Sequence, residues 1–394
     1  SCYFCIISLF FLFFYCLNIP SRTTRYGEHG LMKLLRRPRR HSTLYSYKPK
    51  ENKPNVQTIK ERRMRNIKKS STLESKFPLL AVEQGCIISK DGDITVAYEV
   101  TLPEIFTVTS QEYEAVHAAW CKAIKVLPSY SIVHKQDWFV KEKYEPDLQK
   151  SEMSFLSRSY ERHFNERPYL HHQCYLFLTK TTKERMARQS NFSTLCRGHI
   201  IPKEIKDKEM VARFLDAVEQ FTRIINDSGY ISLRRLTDEE ITGTERITGI
   251  VGKYLSLSTE NVQCLEDMEL SARGMRIGNK HLCLHALSQT EDLPTEVSTD
   301  NRFERLSTDR SDCRLSFAAP VGLLLSCNHI YNQYVFIDNS DETLQRFEKT
   351  ARNMHSLSRY SRQNAINKEW IDEYLNEAHS QGLQSVRAHF NVMA

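Results

Sequence analysis

Past Phe77 the chain alternates between short runs with a two-residue apolar period and longer runs in which apolar residues recur every three or four positions. The first pattern is that of a half-buried strand, the second that of an amphipathic helix. Ile94–Leu102 is β-branched and alternating, and the Asp91-Gly92-Asp93 turn signal introduces it, so a strand is predicted there. Thr109 and Glu112 have the spacing of a capping box, which opens a helix running to about Leu127 with Tyr113, Val116, Trp120, Ala123, Ile124 and Leu127 as its apolar stripe. Cys174–Leu178 predicts a short buried strand. Met210 to Ile225 keeps helical spacing, with an end near Asn226 and Gly229 as its stop. Thr237 and Glu240 cap a further helix. Val321–Cys327 and Tyr334–Ile337 predict two strands joined by a polar turn. Leu344–Tyr360 and Ile366–Ala378 predict the last helices, and Gly382 separates them from a strand over Ser385–Ala394 with Phe390 inward. No internal repeat and no sustained heptad is present. The expected class is α+β, mixed strands and amphipathic helices in one or two domains.

The beginning of the chain has a different pattern. Residues 1–17 are almost wholly apolar and residues 1–20 carry no charge; Asn18 and Pro20 end the run. A bilayer span needs about 20 such residues, so residues 1–20 are expected to be part of a transmembrane segment. Residues 21–69 hold 16 Lys and Arg against three Glu, whereas the remainder is acidic, with a net charge of −6 against +7 for the whole chain. The cationic flank predicts a cytoplasmic side for the chain beyond residue 20, and residues 21–72 read as a basic juxtamembrane linker containing Pro49 and Pro54. Such a flank suits anionic lipid headgroups better than DNA, and direct DNA contact is not expected of the acidic body. The body, residues 73–394, is divisible near residue 206. Eleven scattered cysteines argue against a secreted disulfide framework and for a reducing compartment.

Candidate chemistry is sparse. A phosphate-binding loop needs G-x-x-x-x-G-K-[ST]. The nearest approach, Gly249 to Tyr254 with Gly252-Lys253, has Ile247 in place of the first glycine and Tyr254 in place of the metal-binding hydroxyl; it reads as a helix with a flexible joint. His281, Cys283 and His285 alternate, as three soft or borderline donors on one strand face would, and His171, His172 and Cys174 cluster at a loop-to-strand junction. Neither set has an evident fourth ligand. Both are expected to be ordinary strand residues. Asp300–Leu315, with Asp309, Arg310 and Asp312, reads as a salt-bridged solvated loop. Lys180, Lys183, Arg185 and Arg188, with Phe177 and Phe192 nearby, form a small basic cluster. No catalytic, cofactor-binding or metal residue is assigned.

Long strings carry a resemblance. STLESKFPLLAVEQGCIISKDGDITVAYEV opens one from Ser71 to Pro128. FLTKTTKERMARQSNFSTLCRGHIIPKEI spans Phe177–Ile205, and STDNRFERLSTDRSDCRLSFAAPVGLLLSCNHIYNQYVFIDN spans Ser298–Asn339. INKEWIDEYLNEAHSQGLQSVRAHFNVMA closes the chain from Ile366 to Ala394. Together they resemble the amino-terminal part of the Bacteroides-type conjugative-transposon TraG family of ATPases, over about residues 64–394. Upstream, YGEHGLMKLL at Tyr26–Leu35 resembles the tail of a small TraF-type membrane protein, so residues 1–40 are expected to meet the inner membrane. The resemblance implies a membrane-associated, hexamer-forming ATPase of the type IV secretion kind. Such an ATPase energises assembly of the conjugation apparatus or DNA transfer at the cytoplasmic face of the bacterial inner membrane, with other conjugation proteins as partners. ATP and Mg are then expected only in a carboxy-terminal domain beyond Ala394, and this chain is expected to be a docking and regulatory portion without hydrolytic activity of its own. The alternative is a membrane-tethered, non-enzymatic structural adaptor or gene fragment of the same apparatus.

Overall fold

A computed structural model describes residues 77–103, 109–144, 154–182, 208–258, 265–271, 274–287, 303–305, 307–310, 313, 319–358, 360–382 and 384–394. The apolar segment 1–20 and the basic linker 21–72 lie outside these residues. Among the described residues no helix is long and apolar enough to cross a membrane.

Among the described residues, twelve strands and eight helices make the class α+β. In chain order they are β1 (Leu79–Glu83), β2 (Cys86–Ser89), β3 (Ile94–Thr101), α1 (Ser110–Val126), β4 (Ser131–Glu142), α2 (Phe155–Asn165), β5 (Tyr169–Lys180), α3 (Lys208–Asp227), β6 (Ser232–Arg235), α4 (Asp238–Thr242), α5 (Ile250–Ser256), β7 (Met268–Ser271), β8 (Gly274–Ile277), β9 (Lys280–Leu282), β10 (Leu284–Ala286), α6 (Ala319–Leu323), β11 (His329–Ile337), α7 (Ser340–Leu357), α8 (Arg362–Gln381) and β12 (Val386–Met393). Nine strands form one antiparallel sheet, ordered β1-β2-β3-β5-β4-β11-β12-β10, with β6 on the free half of β3's outer edge. A small second sheet holds β7-β8-β9. The centre of the large sheet is a split βαβ plait. In β3-α1-β4 and β5-α3-β6 each helix joins strands that skip a neighbour, which gives the order β6-β3-β5-β4 of ferredoxin-like folds. Strands from both sides of residue 206 belong to this one sheet.

The capping box forms as its spacing predicts: Thr109 N–H donates to Glu112 Oε2 at 2.8 Å and Glu112 N–H to Thr109 Oγ1 at 3.3 Å. Helices α1 and α3 bury their stripes on one sheet face, where Trp120 meets Phe221 edge to face at 5.6 Å. On the other face a smaller core gathers Trp138, Tyr175, Leu236, Ile241, Ile250 and Ile330 under α4 and α5. Helices α7 and α8 form an antiparallel hairpin with a core of its own, built from Phe347, Ala351, Ile371 and Leu375. Gly382 ends α8 in the left-handed conformation at φ 59°, where a glycine carries no Cβ penalty. The last strand, β12, pairs with β11 along its whole length, and Phe390 and Val392 are buried.

Two expectations are corrected. Val321–Cys327 is not a strand: it contains the end of the short helix α6 and a turn. Its apolar run packs against the core through Val321, Leu323 and Leu325, and short apolar runs do not distinguish a strand from a buried helical turn. Cys174–Leu178 and Tyr334–Ile337 are only the carboxy-terminal parts of 12- and nine-residue strands. Their first halves hold polar residues, which resembles loop composition, yet His172 bonds to Asp137 of β4 and Asn332 to His134 and Gln136 of β4 and Asn391 of β12.

Candidate functional site

Strand alternation sorts the polar residues of β4 onto two faces. Val133, Lys135, Asp137 and Phe139 face α1 and α3; His134, Gln136 and Trp138 face the other way. The cross-strand partners of Asp137 are Cys174 on β5 and Tyr331 on β11, and that of Lys135 on β11 is Gln333. Lys135, Asp137, His172, Cys174, Tyr331 and Gln333 therefore share one patch in the middle of the inner face. Lys135 and Asp137 are each only 1 % exposed.

The centre of the patch is an ion pair. Lys135 Nζ lies 2.8 Å from Asp137 Oδ1 and 2.6 Å from Oδ2. His172 Nε2–H donates to Oδ1 at 3.0 Å, since a carboxylate only accepts. Burial alone raises the Asp137 pKa, but the Lys135 charge and the His172 hydrogen bond outweigh it, and the net direction is downward. Burial lowers the pKa of His172, which stays neutral, and pushes the Cys174 thiol well above its usual value, with the Asp137 charge adding to the effect. Cys174 is thus a protonated thiol, not a nucleophile.

Asp137, His172 and Cys174 offer one donor atom each, all within 4.8 Å of one another, the ligand types of a zinc site. The Lys135 ammonium argues against that use. It already occupies both Asp137 oxygens, and a divalent ion here would face a buried positive charge. The arrangement fits a polar core in which Lys135 already balances the charge of the aspartate.

The opposite face carries a second network. Gln136 Nε2 and His134 Nε2 both approach Asn332 Oδ1, at 2.9 and 3.0 Å, and Asn332 Nδ2 donates to Asn391 Oδ1 at 3.0 Å. His134 stacks on Tyr334 at 4.1 Å and on Phe177 at 5.3 Å. Burial drives the His134 pKa down to about 4, partly offset by Asn332. Burial also lowers the pKa of His329, partly offset by its bonds to the Cys327 and Gly322 carbonyls. These histidines stay neutral in the folded chain while the unfolded chain takes up protons below about pH 6.5. Their stability contribution is full above that pH and is lost as pH falls towards 4, with His134 alone worth about 2 kcal/mol after discounting for its partial exposure. Asp137 acts in the same sense at still lower pH. We expect the melting temperature to fall steadily from pH 7 to pH 4.5 in calorimetry; a flat profile would place these histidines in water.

The other candidates fall apart in space. His171 alternates to the face opposite His172, 3.9 Å from Glu142, because residues 171, 172 and 174 lie on one continuous strand and not at a junction. His281 sits on β9 and His285 on β10, in different sheets. Cys283 lies at the break between them, its backbone paired with Ala394, so the three residues do not share a strand face. Asp309 and Arg310 are exposed, while Asp300, Asp312 and Leu315 lie outside the described residues. Lys180 donates to the Ser129 carbonyl, and burial lowers its pKa to about 8; Lys183, Arg185, Arg188 and Phe192 lie outside the described residues. Gly249 caps helix α5 and is a close approach, not a flexible joint: a Cβ there would sit 2.3 Å from the Gly243 nitrogen. Tyr254 packs edge-on against Trp138 at 6.3 Å.

Sequence reasoning missed Lys135 and Asp137. The signal was present in SIVHKQDWFV, where a four-residue polar stretch is enclosed by β-branched and aromatic residues. A profile described as a domain of unknown function from a B. theta gene (DUF3875) matches residues 66–118, which include β1, β2, β3 and the first half of α1. No curated protein matches the chain. The match ties the β1–α1 segment to that B. theta domain and assigns it no activity.

Proposed function

We propose that this chain is the non-catalytic, amino-terminal docking and regulatory region of a conjugative transfer ATPase, working with other conjugation-apparatus proteins at the inner membrane. The observation that supports this reading most is the state of the buried cluster in the middle of the sheet. Lys135 and Asp137 neutralise one another beneath a packed core, and His172 and Cys174 lie beside them as neutral groups that burial holds out of acid–base and nucleophilic use. The segment resemblances point the same way, and the first of them, Ser71–Pro128, overlaps the matched domain. In this reading ATP and Mg2+ belong to the ATPase domain, and the work of this region is done by its surfaces. The test is competition. Overproduced in a donor cell that carries an intact element, the chain should occupy the docking partner and lower mating frequency at least tenfold. Unchanged transfer with the chain present and folded would overturn the docking role. Micromolar MgATP binding by calorimetry, abolished by Lys253→Ala, would overturn the non-catalytic part.

A further inference from the structure

The outward side of α7 is basic, although the chain beyond residue 69 is acidic. From Gln345 to Gln363 the sequence holds five Lys and Arg (Arg346, Lys349, Arg352, Arg359 and Arg362) against Glu348 alone, a net of +4. Leu344, Phe347 and Ala351 turn α7 onto α8, where they meet Ile371, Tyr374 and Leu375 in a core separate from those of the sheet. Arg346, Lys349 and Arg352 follow one another every third residue on the opposite side, and all three are exposed. Gln345, Asn353 and Ser356 lie among them and are exposed too.

These cations have acids within helical reach, yet no pair closes. On other helices cations are paired four residues away: Arg213 with Glu209 at 3.1 Å, Arg223 with Glu219 at 3.7 Å and Lys368 with Asp372 at 2.9 Å. On α7 the corresponding acids are drawn off. Glu342, four residues before Arg346, accepts from Tyr130 O–H at 3.3 Å. Glu348, four residues before Arg352, lies 3.7 Å from His379 of α8, and Arg352 Nε–H donates instead to the Glu348 carbonyl at 3.4 Å. Among the described residues no ion pair is made by Arg346, Lys349, Arg352 or Arg362. Like charges on adjacent turns weaken a helix slightly, so helix stability does not account for the stripe.

The turn between α7 and α8 adds an aromatic ring. Tyr360 is 85 % and Leu357 45 % exposed. Arg362 stands in the first turn of α8, where the helix dipole disfavours a cation and no acid offsets it. A helix that lies on a bilayer needs a continuous apolar face. That of α7 is used against α8, and its free side is basic and polar. Cations in a row with amides and a hydroxyl between them match phosphate groups, and an exposed ring beside them matches an unpaired base.

We propose that the outward side of α7 and its turn with α8 bind single-stranded nucleic acid: Arg346, Lys349, Arg352 and Arg362 hold phosphates and Tyr360 stacks on a base. The acidic net charge of the body does not forbid this. At physiological salt, charges more than about 8 Å away are largely screened, so the strand meets the stripe and not the whole body. Three or four phosphate contacts give a salt slope of roughly −2 to −3, so binding is weak and salt-sensitive. The site rests on this surface and not on the docking reading, and its failure would leave the mating-competition result untouched.

Anisotropy of a fluorescein-labelled DNA single strand of about 20 nucleotides, titrated with the full chain in mild detergent at roughly 50–200 mM KCl, tests it. Residues 21–69 are basic too, so the readout is the difference between variants that all keep that segment. Arg346→Gln/Lys349→Gln/Arg352→Gln should weaken binding at least tenfold at the lowest salt and flatten the salt slope by about 2, with circular dichroism unchanged. Lys122→Gln/Lys125→Gln/Arg213→Gln removes as much charge from exposed positions of α1 and α3 and should bind like the wild type. Tyr360→Ala should weaken binding to the single strand severalfold and leave binding to a duplex of the same sequence unchanged. A wild type that does not bind, an α7 variant that binds like it, or a control variant that loses as much would each overturn the proposal. An α7 variant that loses binding to phosphatidylglycerol vesicles but not to the strand would assign the stripe to lipid and overturn it as well. A Tyr360→Ala effect equal on strand and duplex would overturn the stacking.

Discussion

Lys135→Met is expected to destabilise the fold by about 3–5 kcal/mol, because it leaves the Asp137 carboxylate buried without its cation. That is a large part of a typical domain's stability, so the variant should unfold at much lower urea than the parent. The double variant Lys135→Met/Asp137→Leu removes both charges and should recover most of the loss, since replacing a buried pair by apolar groups is often neutral or stabilising. The two variants separate the cost of an orphaned charge from the worth of the pair. A Lys135→Met midpoint close to wild type would mean that water reaches Asp137 and that the site is open after all. A double variant as unstable as the single one would assign Lys135 a packing role beyond its charge, through the length of its aliphatic stem.

Phe390→Ala is expected to cost about 3–5 kcal/mol, the usual penalty for emptying a buried aromatic site. Phe390 is 3 % exposed, lies on β12 opposite Gln333 of β11, and belongs to the main core together with Val386 and Val392. β12 pairs with β11 along its whole length and with β10 at Asn391–Met393, and the Leu287 N–H bonds the Phe390 carbonyl, so neighbours on both sides limit how far the cavity can collapse. Thermal melting of the full chain reads the effect. An unchanged melting temperature would show that the last strand frays from the sheet in solution.

Much of the framework was legible in the sequence for local reasons. The capping boxes at Thr109 and Thr237 form because their bonds span three residues and need nothing from elsewhere. The stripe of Met210 to Ile225 and the alternation of Val386, Ala388, Phe390 and Val392 survive because periodicity already encodes which side is buried. Gly382 stops α8 because a left-handed residue is needed there. The polar halves of β5 and β11 were not legible. Residues such as His171–Gln173 and Asn332–Gln333 resemble a loop until their partners are known, and those partners lie on β4 and β12, dozens to almost two hundred residues away.

The site shows the same division. Sequence alone determined the α+β class, the register-bearing apolar strand positions, most helix starts and the charge asymmetry between residues 21–69 and the rest, because each is written in spacings of one to four residues or in composition. Only the tertiary structure decided that Lys135, Asp137, His172 and Cys174 form one cluster around an ion pair, that His171 is turned away from it, and that His281 and His285 lie in different sheets. It alone decided that Phe155, Leu156 and Tyr160 of α2 are exposed. The physical reason is that a side chain's charge state and exposure depend on which strands lie beside its own, and pairing between distant strands is fixed by the register of the whole sheet, which no local spacing carries.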